Sequence, residues 1–255
     1  MFVMDYTNWT AVVTGSSSGM GMQFARTLAA RGANLVLVAR DKKKLDALAA
    51  ELRAAHGVTV DVMPADLSSA DALRKLSAAL ASRVPQVDLL VNDAGFGSNG
   101  DVAETSQDVL ESELAVNVVA VAELTRAVLP AMLAQDRGVI INVASLAAYT
   151  SRPRHTIYSA SKSFVLAFTQ AVWGETIRTG VRITALCPGP VNTGFFAVSK
   201  TTPPGAMMDP QVPVNAALTA IDRRRPSVIV ASPIMRIYTR IMRMLPTRMA
   251  IRLSK

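Results

Sequence analysis

The sequence of 255 residues contains one cysteine, Cys187, and two histidines, His56 and His155. A single cysteine excludes an internal disulfide and is typical of a reducing compartment, so we expect a cytoplasmic protein. Because the cysteine and the two histidines are scattered along the chain, no metal site is expected. The apolar residues before Cys187 predict a buried strand, in which a thiol is inert.

Other features are also missing. The N-terminus has no charged stretch followed by a long apolar one, so no signal peptide is predicted, and no apolar run is long enough to predict a membrane span. We find no Pro/Gly/Ser-rich linker, low-complexity tract or internal repeat. Half of the residues are hydrophobic, which is enough for one large domain with a sizeable core.

Acidic residues are absent after Asp222. Residues 1–222 carry 18 Lys/Arg and 19 Asp/Glu, a balance of −1, whereas residues 223–255 carry nine basic residues, a balance of +9. The whole net charge of +8 therefore lies in the C-terminal tail. Such asymmetry indicates a particular partner for the tail and argues against a nucleic-acid-binding core.

Short apolar runs alternate with amphipathic stretches along the chain. Strands are predicted at 10–14, 34–39, 58–63, 88–92, 139–143, 181–187 and 227–230, and helices at 19–31, 41–56, 70–83, 105–129, 158–179, 212–221 and 234–245. Residues 188–211 predict a loop with a short helix. This order predicts a single doubly wound, Rossmann-type α/β domain over residues 1–232, with a parallel sheet and helices on both faces.

Residues 233–255 form a basic amphipathic tail. Ile234, Ile237, Ile241 and Leu245 recur at helical spacing, and arginines occupy the rest of the surface. One interpretation is a helix that packs on the domain or forms a subunit interface. The other is a surface that binds an anionic membrane or an acidic acyl carrier. The pattern leaves both open.

A glycine turn lies near the N-terminus, in the run from Thr14 to Gly21. It follows a predicted strand and opens a predicted helix. Gly15 permits the tight turn, whereas Gly19 and Gly21 let the backbone approach a pyrophosphate and let the helix pack closely on the sheet. The helix N-terminus offers free N–H groups to the anion. The turn therefore predicts a dinucleotide site.

The end of the second strand distinguishes NAD from NADP. Ala39 stands where an acid would bind the ribose hydroxyls, and Arg40, which suits a 2′-phosphate, follows it. Lys42, Lys43 and Lys44 add positive potential, although the last two are also explained as a solvated helix start. Asp41 leaves NAD open but is predicted to cap the next helix. The sequence favours NADP(H) without excluding NAD(H).

Tyr158 and Lys162 are four residues apart in a predicted helix, so their side chains share one face. A cation beside a phenol favours the phenolate and lowers its pKa, which makes the tyrosine a general acid or base. Ser145 closes an apolar run 13 residues before Tyr158. Together these residues predict a proton-transfer site.

The ordered motifs resemble those of the short-chain dehydrogenase/reductase family over nearly the whole chain. They comprise Thr14-Gly15-x-x-x-Gly19-x-Gly21, Asp66-Leu67, Asn92-Asp93-Ala94-Gly95, Asn117, Ser145, Tyr158-x-x-x-Lys162 and Pro188-Gly189-Pro190-Val191-x-Thr193. The resemblance implies that Ser145 hydrogen-bonds the substrate carbonyl and Tyr158 transfers the proton. It implies that Lys162 holds the nicotinamide ribose, and that Asn117 holds a water linking Lys162 to solvent.

The resemblance also implies a set of cofactor contacts. Asp66 would lie by the adenine, Asn92 by the adenosine ribose and Thr193 by the nicotinamide carboxamide. The full expected set is Gly15, Ser17, Ser18, Gly19, Met20, Arg40, Asp66, Leu67, Asn92, Ala94, Gly95, Tyr158, Lys162, Pro188, Gly189, Val191 and Thr193. One departure is Asp93, where the family usually has a second asparagine.

Taken together, the residues and the resemblance predict an NADP-dependent oxidoreductase that transfers a hydride between nicotinamide and a hydrophobic ketone or secondary alcohol. Apolar residues at 194–198 and 207–208 favour such a substrate over a sugar. The chain looks similar to reductases of 3-oxoacyl thioesters and 17-beta-hydroxysteroids, and we expect a homo-oligomer. The alternative is a cofactor-binding protein with a membrane-surface or scaffold role.

Overall fold

The computed structural model describes residues 4–83, 86–199, 201–203 and 205–253. Its strands are β1 (Thr10–Thr14), β2 (Asn34–Ala39), β3 (Val60–Pro64), β4 (Leu89–Asn92), β5 (Gly138–Val143), β6 (Val181–Pro188) and β7 (Ser227–Val230). They form a parallel sheet in the order β3-β2-β1-β4-β5-β6-β7. The order reverses between β1 and β4, which is where such folds place their ligand crevice.

Ten α-helices lie in the described part of the chain. They are α1 (Gly19–Ala29), α2 (Lys42–His56), α3 (Ala70–Ala81), α4 (Gln107–Leu114), α5 (Ala120–Ala134), α6 (Thr156–Thr176), α7 (Phe195–Val198), α8 (Gln211–Asp222), α9 (Pro233–Met244) and α10 (Thr247–Leu253). Apolar side chains of α1, α2 and α8 share one core cluster, and those of α3, α5 and α6 share another. The doubly wound arrangement predicted from the sequence is confirmed.

Two core layers explain why the central strands are continuously apolar. In β2, Leu35 and Leu37 belong to the cluster on one face of the sheet, whereas Val36 and Val38 belong to the cluster on the other. Because side chains alternate across a strand, helices on both faces require an apolar residue at every position. The strand pattern in the sequence was therefore a consequence of burial on two sides.

The predicted helix at 105–129 is in fact a continuous helical segment from 107 to 134. Residues Ala115–Val119 form a π-helical turn between α4 and α5, and Asn117 lies in that turn. An 18-residue window of this segment has a mean hydropathy of 1.5, so by length and composition alone the segment is long and apolar enough to cross a membrane. Its inner side, however, contributes Leu124, Val128 and Met132 to the core.

The tail forms two helices. Ser232 caps α9 by accepting a hydrogen bond from the Met235 amide, and Pro233 follows at the first helical position. Thr239 and Met242 of α9 are buried, so one face of the helix packs on the domain. The sequence pattern predicted α9 but not α10, because the seven residues of α10 are too few to show a period.

Leu124 tests the core described above. It is fully buried on α5, whereas Leu133 on the same helix is 40% exposed. We expect Leu124→Ala to lower the free energy of unfolding by about 2–5 kcal/mol. The control Leu133→Ala should change it by roughly 0.5 kcal/mol or less. Urea unfolding of both variants measures the difference, and equal losses would contradict this account of the core.

Candidate active site

A cavity of about 890 Å³ opens at the carboxyl ends of the strands. It is lined by the loops that follow strands β1 to β6 and by residues of several helices, including α6, α7, α9 and α10. Most of the residues expected to hold the cofactor line it, namely Gly15, Ser17, Ser18, Gly19, Met20, Arg40, Asp66, Leu67, Ala94, Gly95, Pro188, Gly189, Val191 and Thr193. Ser145, Tyr158 and Lys162 line the same cavity.

The glycine turn places backbone atoms without side chains at the wall of this cavity. Gly15 has a φ of +70°, and a Cβ there would lie 2.9 Å from the Ala94 nitrogen, so only glycine fits. Ser18 begins α1 without a side-chain cap, which leaves amides of the first helical turn without a side-chain acceptor. An anion at this end of the helix would meet free donors. The turn therefore fits the pyrophosphate of a dinucleotide.

Positive charge lies where β2 ends. Arg40 is exposed and lines the cavity with Lys44, which the sequence pattern had explained as part of a solvated helix start. Asp41 caps α2 by accepting a hydrogen bond from the Lys44 amide, as predicted. Across the cavity, hydrogen bonds from Ser68 and, to a smaller extent, the charge of Arg40 lower the pKa of Asp66.

Lys162 is 4% exposed and its ammonium is anchored in the core of the site. Its Nζ donates to the backbone oxygen of Val143, the last residue of β5, over 2.8 Å. The same Nζ lies 5.8 Å from the centroid of the Tyr158 ring. Burial lowers the pKa of Lys162 to about 8, although the charges of Asp93 and Glu113 raise it.

Tyr158 is held from three sides. Its hydroxyl hydrogen-bonds Ser145, whose Oγ also accepts from the Ala147 amide over 3.1 Å. Its ring packs against Phe195, with centroids 5.2 Å apart. A Cβ at Gly97 would lie 2.9 Å from the Tyr158 ring and 3.1 Å from the Phe195 ring, so this position also requires glycine. The sequence analysis identified neither Gly97 nor the Phe195 contact.

Burial raises the pKa of Tyr158 to about 12; the Ser145 hydrogen bond lowers it, and the charges of Glu113 and Asp93 raise it. The expectation that Lys162 lowers this pKa is therefore not reproduced. Desolvation of the phenol sets the direction of the shift, and the Lys162 ammonium is hydrogen-bonded to the Val143 oxygen. The consequence is a phenol that keeps its proton at neutral pH.

Asn117 organises the loop beneath these residues. Its Oδ1 accepts from the Phe96 amide over 3.2 Å, and its Nδ2 donates to the Phe96 oxygen over 2.8 Å and to the Ser161 Oγ over 3.1 Å. One turn earlier, the buried Glu113 accepts from the Ser98 amide. Asn117 does not line the cavity, but Oδ1 and the Lys162 Nζ both crowd the space above Gly95.

Asn92 is the other predicted site residue that lies outside the cavity lining. Its Nδ2 donates to the Asn142 Oδ1 over 2.9 Å and to the Thr125 Oγ1 over 3.3 Å. The side chain therefore ties β4 to β5 and α5, and any contact with a ribose would have to come from the backbone. Sequence spacing could not show this, because it does not reveal which way an amide points.

Comparisons with known proteins identify the family of this chain. The sequence model of the family described as short chain dehydrogenase matches residues 9–203. The ketoacyl reductase HetN of Nostoc sp. is 34% identical over 92% of this chain and 83% of its own length. A short-chain dehydrogenase from Sphingobium yanoikuyae in complex with NADPH has a TM-score of 0.85 at 31% identity, covering 91% of this chain and 92% of that one.

A second solved structure bears on the cofactor. A short-chain dehydrogenase/reductase from Burkholderia phymatum in complex with NAD has a TM-score of 0.84 at 28% identity, covering 95% of this chain and 94% of that one. The chain belongs to the short-chain dehydrogenase/reductase family. It is an oxidoreductase of that family with a nicotinamide cofactor, and its structural neighbours include both NADPH-bound and NAD-bound members.

Asp93, which stands where the family usually has asparagine, affects how the stability of the protein depends on pH. Burial raises the pKa of this carboxyl to about 7, against the opposing charge of Lys162 and a hydrogen bond from the Gly21 amide. Its Oδ1 is buried and has no hydrogen-bond partner among the described residues. A raised pKa in the folded state stabilises the protein at low pH, and this contribution is lost as the pH rises through about 7.

As the pH rises from 5 to 7.5, we therefore expect the free energy of unfolding to fall less in Asp93→Asn than in wild type. The expected difference between the two is on the order of 1 kcal/mol. Asp108→Asn, at an exposed position on α4, is the matched control and should follow the wild type. Urea unfolding at the two pH values measures both. Parallel pH dependence in Asp93→Asn and wild type would refute the assignment.

Proposed function

We propose that the protein reduces a hydrophobic ketone to a secondary alcohol with NADPH. The observation that carries the proposal is the convergence of Ser145, Tyr158 and Lys162 in the cavity that the glycine turn also lines. When bound, the nicotinamide supplies the hydride, whereas the protein supplies position and electrostatics. The similarity to the ketoacyl reductase HetN of Nostoc sp. supports the direction of reduction.

Tyr158 is the proposed acid. With its pKa raised to about 12, the phenol holds its proton until an alkoxide begins to form at the substrate oxygen. Ser145 hydrogen-bonds the tyrosine hydroxyl. The Ser145 hydroxyl would also donate a hydrogen bond to the substrate oxygen, beside the one from Tyr158. The charge of Lys162 stabilises the phenolate that remains after proton transfer. The water relay through Asn117 stays a prediction.

Apolar side chains form part of the cavity wall. These side chains are Phe195 and Phe196 from α7, Leu146 from the turn after Ser145, and Met235 and Tyr238 from α9. Such a lining suits a ketone with hydrocarbon on both sides, so we propose the 3-oxoacyl thioester and steroid classes. Among the other apolar residues named from the sequence, Met207 and Met208 do not line the cavity.

NADP preference is proposed from the end of β2. Ala39 offers no carboxylate to a ribose hydroxyl, and Arg40 and Lys44 bring two cations to the cavity wall. A 2′-phosphate would gain charge-assisted hydrogen bonds from such a pair. We further propose a cytoplasmic homo-oligomer. No observation on the described residues favours the alternative of a cofactor-binding protein without catalysis, whereas the convergence of Ser145, Tyr158 and Lys162 supports catalysis.

Tyr158→Phe tests catalysis. The change keeps the ring and its contact with Phe195 but removes the proton donor, so we expect kcat for ketone reduction to fall roughly 10²–10⁴-fold while NADPH binding is retained. Tyr149→Phe is the control, since Tyr149 does not line the cavity. A panel of ketones and 3-oxoacyl thioesters with NADPH supplies the assay. Turnover of Tyr158→Phe near that of wild type would overturn the assignment.

Arg40→Asp tests cofactor choice. Loss of the charge-assisted hydrogen bonds should weaken the binding of NADPH by about 1.5–3 kcal/mol, and the preference should therefore shift towards NADH. Lys43→Asp changes the charge equally at an exposed neighbour that does not line the cavity. Fluorescence titration of both nicotinamides measures the ratio of affinities. If the ratio of NADPH to NADH affinity is the same in Arg40→Asp and Lys43→Asp, Arg40 has no role in cofactor selection.

A further inference from the structure

One face of the tail helix α9 is left uncovered. Thr239 and Met242, which pack on the domain, are 3% and 4% exposed. In contrast, the exposed fractions are 79% for Ile234, 57% for Ile237, 51% for Ile241 and 86% for Met244. These four residues recur at intervals of three and four, so they form one stripe along the helix. We call them the apolar stripe.

The charge beside the apolar stripe has one sign. Arg236 and Arg240 are exposed on α9, and Arg248 and Arg252 are exposed on α10. No acidic residue occurs after Asp222. Helical spacing places Arg240 next to Ile237 and Met244, at the border of the apolar stripe. The surface therefore combines exposed hydrocarbon with uncompensated positive charge.

The helices of the tail also line the cavity, although the four residues of the apolar stripe do not. Met235, Tyr238 and Thr239 of α9 and Leu253 of α10 line the cavity that holds Tyr158. Tyr238 is 41% exposed, and Leu253 is 61% exposed, so both reach from the cavity to the outer surface. Both helices therefore contribute to the wall of the cavity as well as to the exposed surface.

We propose that the tail surface, formed by the apolar stripe and Arg236, Arg240, Arg248 and Arg252, docks on an anionic lipid bilayer, from which the ketone enters the cavity. Docking itself is independent of the proposed reduction, whereas the lipid nature of the substrate rests on it. An interfacial helix sinks its apolar side about 5–10 Å into the headgroup region while its arginines meet lipid phosphates. The arrangement on α9 and α10 meets both requirements.

Charge and exposure select the bilayer over other occupants. A symmetric contact between two copies would bring the arginines of both tails together with no acid in residues 223–255 to offset them. An acidic carrier protein would satisfy the arginines but needs no stripe of isoleucines. An anionic bilayer satisfies the charge and the hydrocarbon at once.

Vesicle flotation of the full chain tests the docking. We expect binding to vesicles of phosphatidylcholine with phosphatidylglycerol, weak binding to phosphatidylcholine alone, and loss of binding at high salt. Arg240→Glu and Ile241→Glu should each weaken binding about tenfold. The controls are Arg74→Glu, at another exposed arginine, and Ile177→Glu, at an isoleucine that is 53% exposed. Both should bind as wild type does.

Circular dichroism and NADPH binding show whether each variant is folded, and Ile237→Gln replaces Ile241→Glu if the latter is not. Absence of wild-type binding to anionic vesicles would overturn the proposal. Equal losses in the tail and control variants would overturn it too. So would light scattering that shows a dimer dissociated by Ile241→Glu, because the stripe would then be a subunit interface.

An activity assay separates this proposal from the proposed function. Turnover of a short soluble ketone reports the chemistry alone, and we expect Ile241→Glu to leave it unchanged. Turnover of a long-chain ketone held in anionic vesicles should fall about tenfold in the same variant. If neither ketone is reduced by wild type, the proposed function fails while docking stands on flotation. If wild type and Ile241→Glu reduce each of the two ketones at equal rates, the proposed delivery of the ketone from the bilayer is wrong.

Discussion

The site depends on one buried hydrogen bond, between the Lys162 ammonium and the backbone oxygen of Val143. It joins α6 to the carboxyl end of β5, and it gives a desolvated cation an acceptor in the core. Tyr158 lies one helical turn before Lys162, and Ser145 lies two residues after Val143. The bond therefore fixes the distance between the two elements that carry the proton-transfer groups.

Desolvation then sets the chemistry of those groups. It raises the pKa of Tyr158, lowers that of Lys162 and raises that of Asp93, so each group is pushed towards its neutral form. A tyrosine that keeps its proton is suited to give it to an alkoxide. The expectation of a lowered tyrosine pKa counted the charge of Lys162 but not the desolvation of the phenol.

The sequence could predict the parts of the molecule that follow from local pattern. Alternating apolar and amphipathic stretches predicted all seven strands within about two residues, because the period of burial is visible in the residues themselves. The glycine turn and the Tyr158/Lys162 spacing predicted residues that the fold brings into one cavity. Each of these signals lies within a few positions along the chain.

Contacts between distant segments left no such signal. Gly97, the Phe195 ring and the Asn92 amide acquire their roles from residues far away in sequence. For the tail, the sequence could show an apolar and basic helix but not which apolar residues are buried. In the structure Met242 packs against the domain beside Thr239, whereas Ile234, Ile237 and Ile241 are exposed to solvent.

The central claim is that the assembled site transfers hydride to a ketone carbon. The most direct measurement is a single turnover with NADPH deuterated at both C4 positions and a hydrophobic ketone, followed by mass spectrometry of the product. The account predicts an alcohol with one deuterium on its carbinol carbon. An unlabelled alcohol, or no alcohol from any ketone or 3-oxoacyl thioester tested, would contradict it.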